Sequence, residues 1–312
     1  MTTSGSIDFL VNRDQIIFGA LRKCGVLGTG DRGSSTEEVA DAAEALNIMI
    51  KAWQADGLQL WTRERAVLFL SKTKSAYTFP TDHACKESDY VKTEIRVAGS
   101  ASDTTIEVDS TTGMVASDNI GIELDDGTIH WTTVSSVTDS DTVVIASGLA
   151  SAASVDNHVY AYTTKLNMPL TVSDLYVRDQ SDIDIPIIPM SRNEYAELSS
   201  KTENGQVIQA YYDRQRDTGV LYVWPMTDTV KSTVRFTSQR QIEDFDSNND
   251  TPDFPNYWQQ ALVWGLAAEI APEHGVDNPT WNMFIQKAAV EKANALSYDN
   301  EDTSVFFELE ER

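Results

Sequence analysis

A chain of 312 residues with 41% hydrophobic content can bury a sizeable core, and its length allows two domains or one domain carrying an insertion, so a disordered chain is excluded. Its 48 Asp and Glu against 24 Lys and Arg leave a formal charge of -24. Such a surface repels nucleic acid, because DNA binding needs cations to replace the phosphate counterions; a grip on DNA is not expected, whereas a non-sticking wall past which DNA slides is compatible with this charge.

No stretch approaches the roughly 18 consecutive apolar residues of a membrane helix, and the first residues, MTTSGSIDFL, lack the basic-then-apolar pattern of a signal peptide. The expectation is a soluble protein, made in the cytoplasm, with no membrane partner. Cys24 and Cys85 stand without CxxC spacing or a His cluster and read as ordinary thiols.

Residues 1–11 show no period and read as an arm. Asn12 with Gln15 three residues on predicts a capping-box start; Ile16, Ile17, Ala20, Leu21 and Cys24 then share a helical face, and Gly25 supplies a left-handed stop. After a Gly-rich loop, Ser35 and Glu38 make a second capping box. Val39, Ala42, Ala43, Leu46, Met49, Ile50 and Trp53 keep helical spacing from there to Gly57.

From Ala66 the texture turns β-like. Residues 97–164 differ from the rest, with ten acidic residues, no Lys or Arg, and alternating runs at Thr105–Val108, Ile120–Leu124 and Thr142–Ile145. Asp125-Asp126-Gly127 and Asp139-Ser140-Asp141 punctuate these runs as hairpin turns. Strands are expected at Val172–Val177, Ile185–Ile188, Gln206–Tyr212, Val220–Trp224 and Thr233–Thr237, with a short helix opened by Ser191 and Glu194. These strands extend the layer begun at Ala66 rather than the acidic insert. Beyond an acidic linker, Tyr257–Ile270 and Trp281–Leu296 read as helices, re-entered at Pro279.

The expected fold is therefore α+β: a helical bundle body formed by the N- and C-terminal helices, with a middle β region and an inserted small all-β barrel or sandwich. The boundaries fall at 1–92 (arm, two helices and first strands), 93–165 (acidic all-β insert), 166–240 (second β region with a short helix), 241–298 (linker and C-terminal helices) and 299–312 (acidic tail).

Gly28-x-Gly30-x-x-Gly33 spells the dinucleotide pattern but follows a helix where that fingerprint must follow a strand. Asp246-x-Asn248-x-Asp250 imitates a calcium loop but has Thr251 and Tyr257 where the loop needs Gly and Glu. His83, His130, His158 and His274 are scattered, with no HExxH or GxSxG. No cofactor, metal or catalytic residue is expected. Leu21, Leu46, Trp53, Trp61, Trp258, Trp264 and Trp281 are expected in the helical core or at a subunit interface. Val305, Phe306, Phe307 and Leu309 form an apolar cluster among acids, and either dock on a partner or fold back onto the body.

The segment from Ile16 to Leu70 resembles the opening of phage head-to-tail adaptor proteins of the podovirus tail-accessory and packaged-DNA-stabilisation type. The similarity is carried by Ala20-Leu21-Arg22-Lys23 before Gly25-Val26-Leu27, by Glu44-Ala45-Leu46-Asn47, and by Trp53-Gln54-Ala55-Asp56-Gly57-Leu58 followed by Leu60-Trp61. Later, Ile187-Ile188-Pro189-Met190 with Glu194-Tyr195, Tyr211-Tyr212-Asp213, Gly219 through Pro225, and Trp258–Ile270 are similar to longer adaptors. The resemblance implies a non-enzymatic virion protein of the head-to-tail junction, or neck. It implies a ring, commonly of twelve copies, docked on the portal protein, extending the DNA channel, retaining packaged DNA and receiving tail or nozzle proteins. It further implies a portal anchor at Val305, Phe306, Phe307 and Leu309. Two rivals from other classes are a carbohydrate- or receptor-binding virion module using the β insert and a cell-wall hydrolase; against the second stands the missing catalytic motif.

Overall fold

The computed structural model describes Gly5 and residues 9–28, 35–55 and 60–299. In chain order, α1 (Arg13–Lys23) and α2 (Thr36–Ala55) come first. They are followed by β1 (Arg63–Phe69), β2 (Ala76–Phe79), β3 (Ala84–Lys86), β4 (Val91–Val97), β5 (Thr105–Val108) and β6 (Asn119–Glu123). Next are β7 (Ile129–Val137), β8 (Thr142–Ile145), β9 (His158–Tyr162), β10 (Thr171–Arg178), β11 (Asp184–Pro186) and β12 (Ile188–Pro189). The last elements are α3 (Arg192–Glu197), β13 (Gln209–Arg214), β14 (Gly219–Trp224), β15 (Thr233–Gln239), α4 (Gln259–Ile270) and α5 (Asn278–Tyr298).

This corrects the expected helical body with a small β insert. The described residues form fifteen strands against five α-helices, and Arg63–Arg240, the larger of two compact units, is built on β structure. The physical reason is that the strands outside residues 97–164 do not decorate a bundle; they bury a core of their own. One sheet runs β11-β10-β15-β1-β3 and another β12-β13-β14-β2. Leu68 of β1, Phe79 of β2, Val177 of β10, Leu221 of β14 and Phe236 of β15 meet in one buried cluster between them. Strand β1 is buried on both faces: Ala66 and Leu68 point into that cluster, while Val67 and Phe69 point to the other side.

The acidic segment closes into a six-stranded barrel, β4-β5-β8-β7-β6-β9. Strand alternation places Ile95, Ile106, Ile122, Val143 and Val159 inside it. Closure leaves no sheet edge to template pairing with other chains. The hairpin turns form as the sequence indicates, with Gly127 at φ +77° closing β6 to β7.

On the barrel's outer face, Tyr160 and Tyr162 join Phe69 and Cys85 in a separate buried cluster. Phe69 is the hub: its ring lies 5.1 Å from Trp131 and Tyr160, 5.6 Å from Tyr162 and 5.8 Å from Tyr90. Gly121 is required here, because a Cβ at that position would stand 2.6 Å from the Trp131 ring. Gly121→Ala is expected to push Trp131 off its 3.8 Å stack on His83 and to destabilise the β unit by about 1–3 kcal/mol, read as a lowered urea midpoint.

His83 lies within 2.7 Å of the Tyr162 hydroxyl. Its pKa is pushed down from 6.5 to about 4, first by burial and then by nearby Lys165. In the unfolded chain the imidazole takes up its proton below about 6.5, while in the folded chain it resists until about 4. The unfolded state thus binds more protons in that window, so stability falls as pH is lowered through it. His158 is shifted in the same direction by burial. Urea midpoints at pH 7 and pH 5.5 should show this fall, and His83→Phe should reduce it.

The second compact unit comprises the chain up to Thr62 and from Gln241 onward. There α1, α2, α4 and α5 share one core containing Ile17, Leu21, Leu46, Ile50, Leu262 and Leu266. The capping boxes read at Asn12 and Ser35 are both made, and Asp277 caps α5 with a Pro in its first turn. The segment between β15 and α4 is tied down: Asn47 both donates to the Phe245 carbonyl and accepts from its N–H, while Lys51 donates to the Ile242 carbonyl. Among the described residues no helix is long and apolar enough to cross a membrane.

Candidate functional site

The helical unit holds the residues singled out from sequence. Leu21 and Leu46 are buried, and Trp258 is 1% exposed. Trp53, Trp61, Trp264 and Trp281 are partly buried and packed against the same core. The fold brings two of them against Trp258, Trp61 at 5.4 Å and Trp53 at 5.8 Å, with Phe254 joining at 5.5 Å. The Trp61 indole N–H donates to the Asp253 carbonyl. Trp264 sits apart, against Phe284 at 5.7 Å with Lys23 Nζ 3.8 Å above its ring. Trp281 donates to the Ala268 carbonyl. Val305, Phe306, Phe307 and Leu309 lie outside the described residues.

Asp299, assigned from sequence to the tail, closes this cluster. Its buried carboxylate accepts from Tyr257 Oη at 2.6 Å and Trp258 Nε1 at 3.2 Å. Burial, reinforced by the Asp299 carboxylate, pushes the Tyr257 phenol well above its ordinary range, so it stays a donor and the chain is held where α5 ends.

Helix α5 is the unusual element. It has 21 residues, of which only Phe284 and Ala295 are buried, yet Met283, Ile285 and Val290 are exposed large apolar side chains. Ile48 of α2 is 63% exposed as well. A surface helix normally confines apolar residues to the stripe that faces its core. Here Met283-Phe284-Ile285 are consecutive and cannot share one stripe, a signal that the sequence itself carries. Between α2, α4 and α5 lies a groove of about 480 Å³ lined by Met49, Trp53, Ala268, Trp281, Ile285 and Ala289. Gly265 forms part of the lining, and a Cβ there would meet Met49 Sδ at 2.7 Å and the Trp53 ring at 2.8 Å. Lys292 lies at the groove with its Nζ 4.9 Å from the Trp53 ring centroid.

Ser147 Oγ is 3.3 Å from His130 Nε2, but among the described residues no carboxylate hydrogen-bonds that imidazole to orient it as a base. His158 lies between Glu94 at 3.4 Å and Glu123 at 3.6 Å. Asp250 spends its carboxylate on the backbone N–H groups of Asp246 and Ser247. Among the described residues no group of three His, Cys, Asp or Glu is placed to hold a metal ion. The helix α1 precedes Gly28, and Gly30 and Gly33 lie outside the described residues. Cys24 and Cys85 are free thiols, the first pushed up to about 11 by burial.

A second aromatic group was not anticipated. Tyr195 on α3 covers Tyr222 at 4.8 Å and Tyr211 at 5.8 Å, so three of the residues that carry the sequence resemblance converge on one sheet face. By contrast, the barrel's only aromatic residues, Trp131, Tyr160 and Tyr162, all belong to the cluster around Phe69. No protein-family model matches the chain, and no curated protein matches it.

Proposed function

We propose that this chain is a structural, non-enzymatic subunit of a phage head-to-tail adaptor, forming a ring beneath the portal protein in the virion neck. The observation that carries the reading is the doubly apolar helix α5, with Met283, Ile285 and Val290 exposed on a chain of net charge -24. A monomer gains nothing from such a face, whereas a ring repeats one contact around a closed symmetry and buries it on every subunit. The acid excess serves the same role, since a wall of like charge lets DNA pass without sticking. Val305, Phe306, Phe307 and Leu309 act as the portal anchor, repeated once per subunit so that weak contacts sum. Twelve copies, with tail or nozzle proteins as lower partners, complete the proposal.

The carbohydrate-binding alternative has less support, because a barrel whose aromatic rings are all engaged with Phe69 and its neighbours offers no stacking platform for a sugar. Met283→Glu combined with Val290→Glu tests the ring reading. Both positions are exposed, so the subunit should keep its helical circular dichroism while losing co-sedimentation with portal rings. Unchanged co-sedimentation would refute the role given to α5.

A further inference from the structure

We propose that the groove between α2, α4 and α5 is the seat of the same chain's own apolar segment, Val305 to Leu309. Three observations converge on this occupant. The first is size: a void of ~150 Å³ takes up one benzene ring, so a groove of about 480 Å³ has room for the rings of Phe306 and Phe307.

The second is reach. Asp299 is held in place by Tyr257 and Trp258, and Trp258 packs on Trp53, which forms a wall of the groove. Along α5, Ala289 lies about 15 Å back from Asp299 at ~1.5 Å per residue. The chain from Asp299 to Phe306 spans up to ~23 Å when extended. The segment can therefore turn back along α5 without disturbing the cap at Asp299.

The third is chemistry. The wall residues Met49, Trp53, Trp281, Ile285 and Ala289 are apolar or aromatic, and Lys292 stands at the groove beside them. The segment Val305-Phe306-Phe307-Glu308-Leu309 is apolar with acids around it. Its rings match the apolar walls, and its flanking carboxylates meet Lys292 as well as the like charge of Glu269. The docking itself does not depend on the ring reading. Within that reading it has a consequence: each subunit covers its own portal anchor until the portal competes for it.

The test uses the full chain, without portal, carrying the photoreactive residue p-benzoylphenylalanine in place of Phe306. Irradiation should give cross-links within the monomer, mapped by mass spectrometry to the peptides bearing Trp53 and Ile285–Lys292. A companion chain with Ala289→Glu, an exposed position, should lose those cross-links about tenfold as a charge replaces a methyl at the apolar wall. Cross-links to another surface, cross-linked dimers in place of monomers, or a yield insensitive to Ala289→Glu would each overturn the proposal. Because no portal is present, failure here is distinguishable from failure of the adaptor reading.

Discussion

Trp258→Ala is expected to destabilise the helical unit by about 3–5 kcal/mol, the range found when a buried large aromatic is cut back to a methyl. The size follows from what the indole does. It is almost fully buried among Trp53, Trp61 and Phe254, and its Nε1 donates to the buried Asp299 carboxylate. Truncation therefore removes packing and leaves that carboxylate with one fewer donor, a second cost added to the first. It should also release the end of α5. Trp258→Phe restores most of the ring volume without the N–H, so it should recover the larger share of the loss. Urea titration followed by helical circular dichroism separates the two: an alanine variant within about 1 kcal/mol of the parent would place the core elsewhere.

Phe69→Ala should cost the β unit a comparable amount, about 3–5 kcal/mol, by a different route. Phe69 lies in a strand paired on one side with β15 and on the other with β3, and its ring contacts four aromatic residues. Three of those, Trp131, Tyr160 and Tyr162, belong to barrel strands, so the substitution opens a cavity between barrel and sheet. Near-ultraviolet circular dichroism should lose aromatic signal at a lower denaturant concentration than in the parent. Loss confined to the barrel would mean that the barrel and the two sheets unfold separately; coincident loss would mean that Phe69 couples them.

The parts of this architecture that were legible in the sequence are local. Asn12 with Gln15, Ser35 with Glu38, and Ser191 with Glu194 each name a helix start through side chains three residues apart. The turn at Asp125-Asp126-Gly127 is written in three consecutive residues. The overall balance was not legible, because helical periodicity accumulates over 20 residues in α2 whereas β5 and β8 have four each, too few to assert themselves. Strand order was hidden for the same reason: β15 pairs with both β1 and β10, and nothing local links Phe236 to Ala66. The run Ile185–Ile188, read as one strand, divides between two sheets at Ile187, whose side chain is buried. Strand β4 carries Lys92 and Arg96, so the acid-only composition of residues 97–164 does not announce where the barrel begins.

The candidate site divides along the same line. The tryptophans announced themselves by helical spacing. The groove did not, because one wall comes from α2 and the others from α4 and α5, more than 200 residues further along the chain. Asp299 reads as the first residue of a tail because its partners, Tyr257 and Trp258, precede it by two helices, α4 and α5.

Native mass spectrometry of the purified chain, alone and mixed with the portal ring of the same genome, tests the adaptor reading most directly. The account predicts a single subunit mass for the free chain and a fixed multiple of copies on the portal, with that binding lost when residues 300–312 are removed. No association with the portal in either form would contradict it.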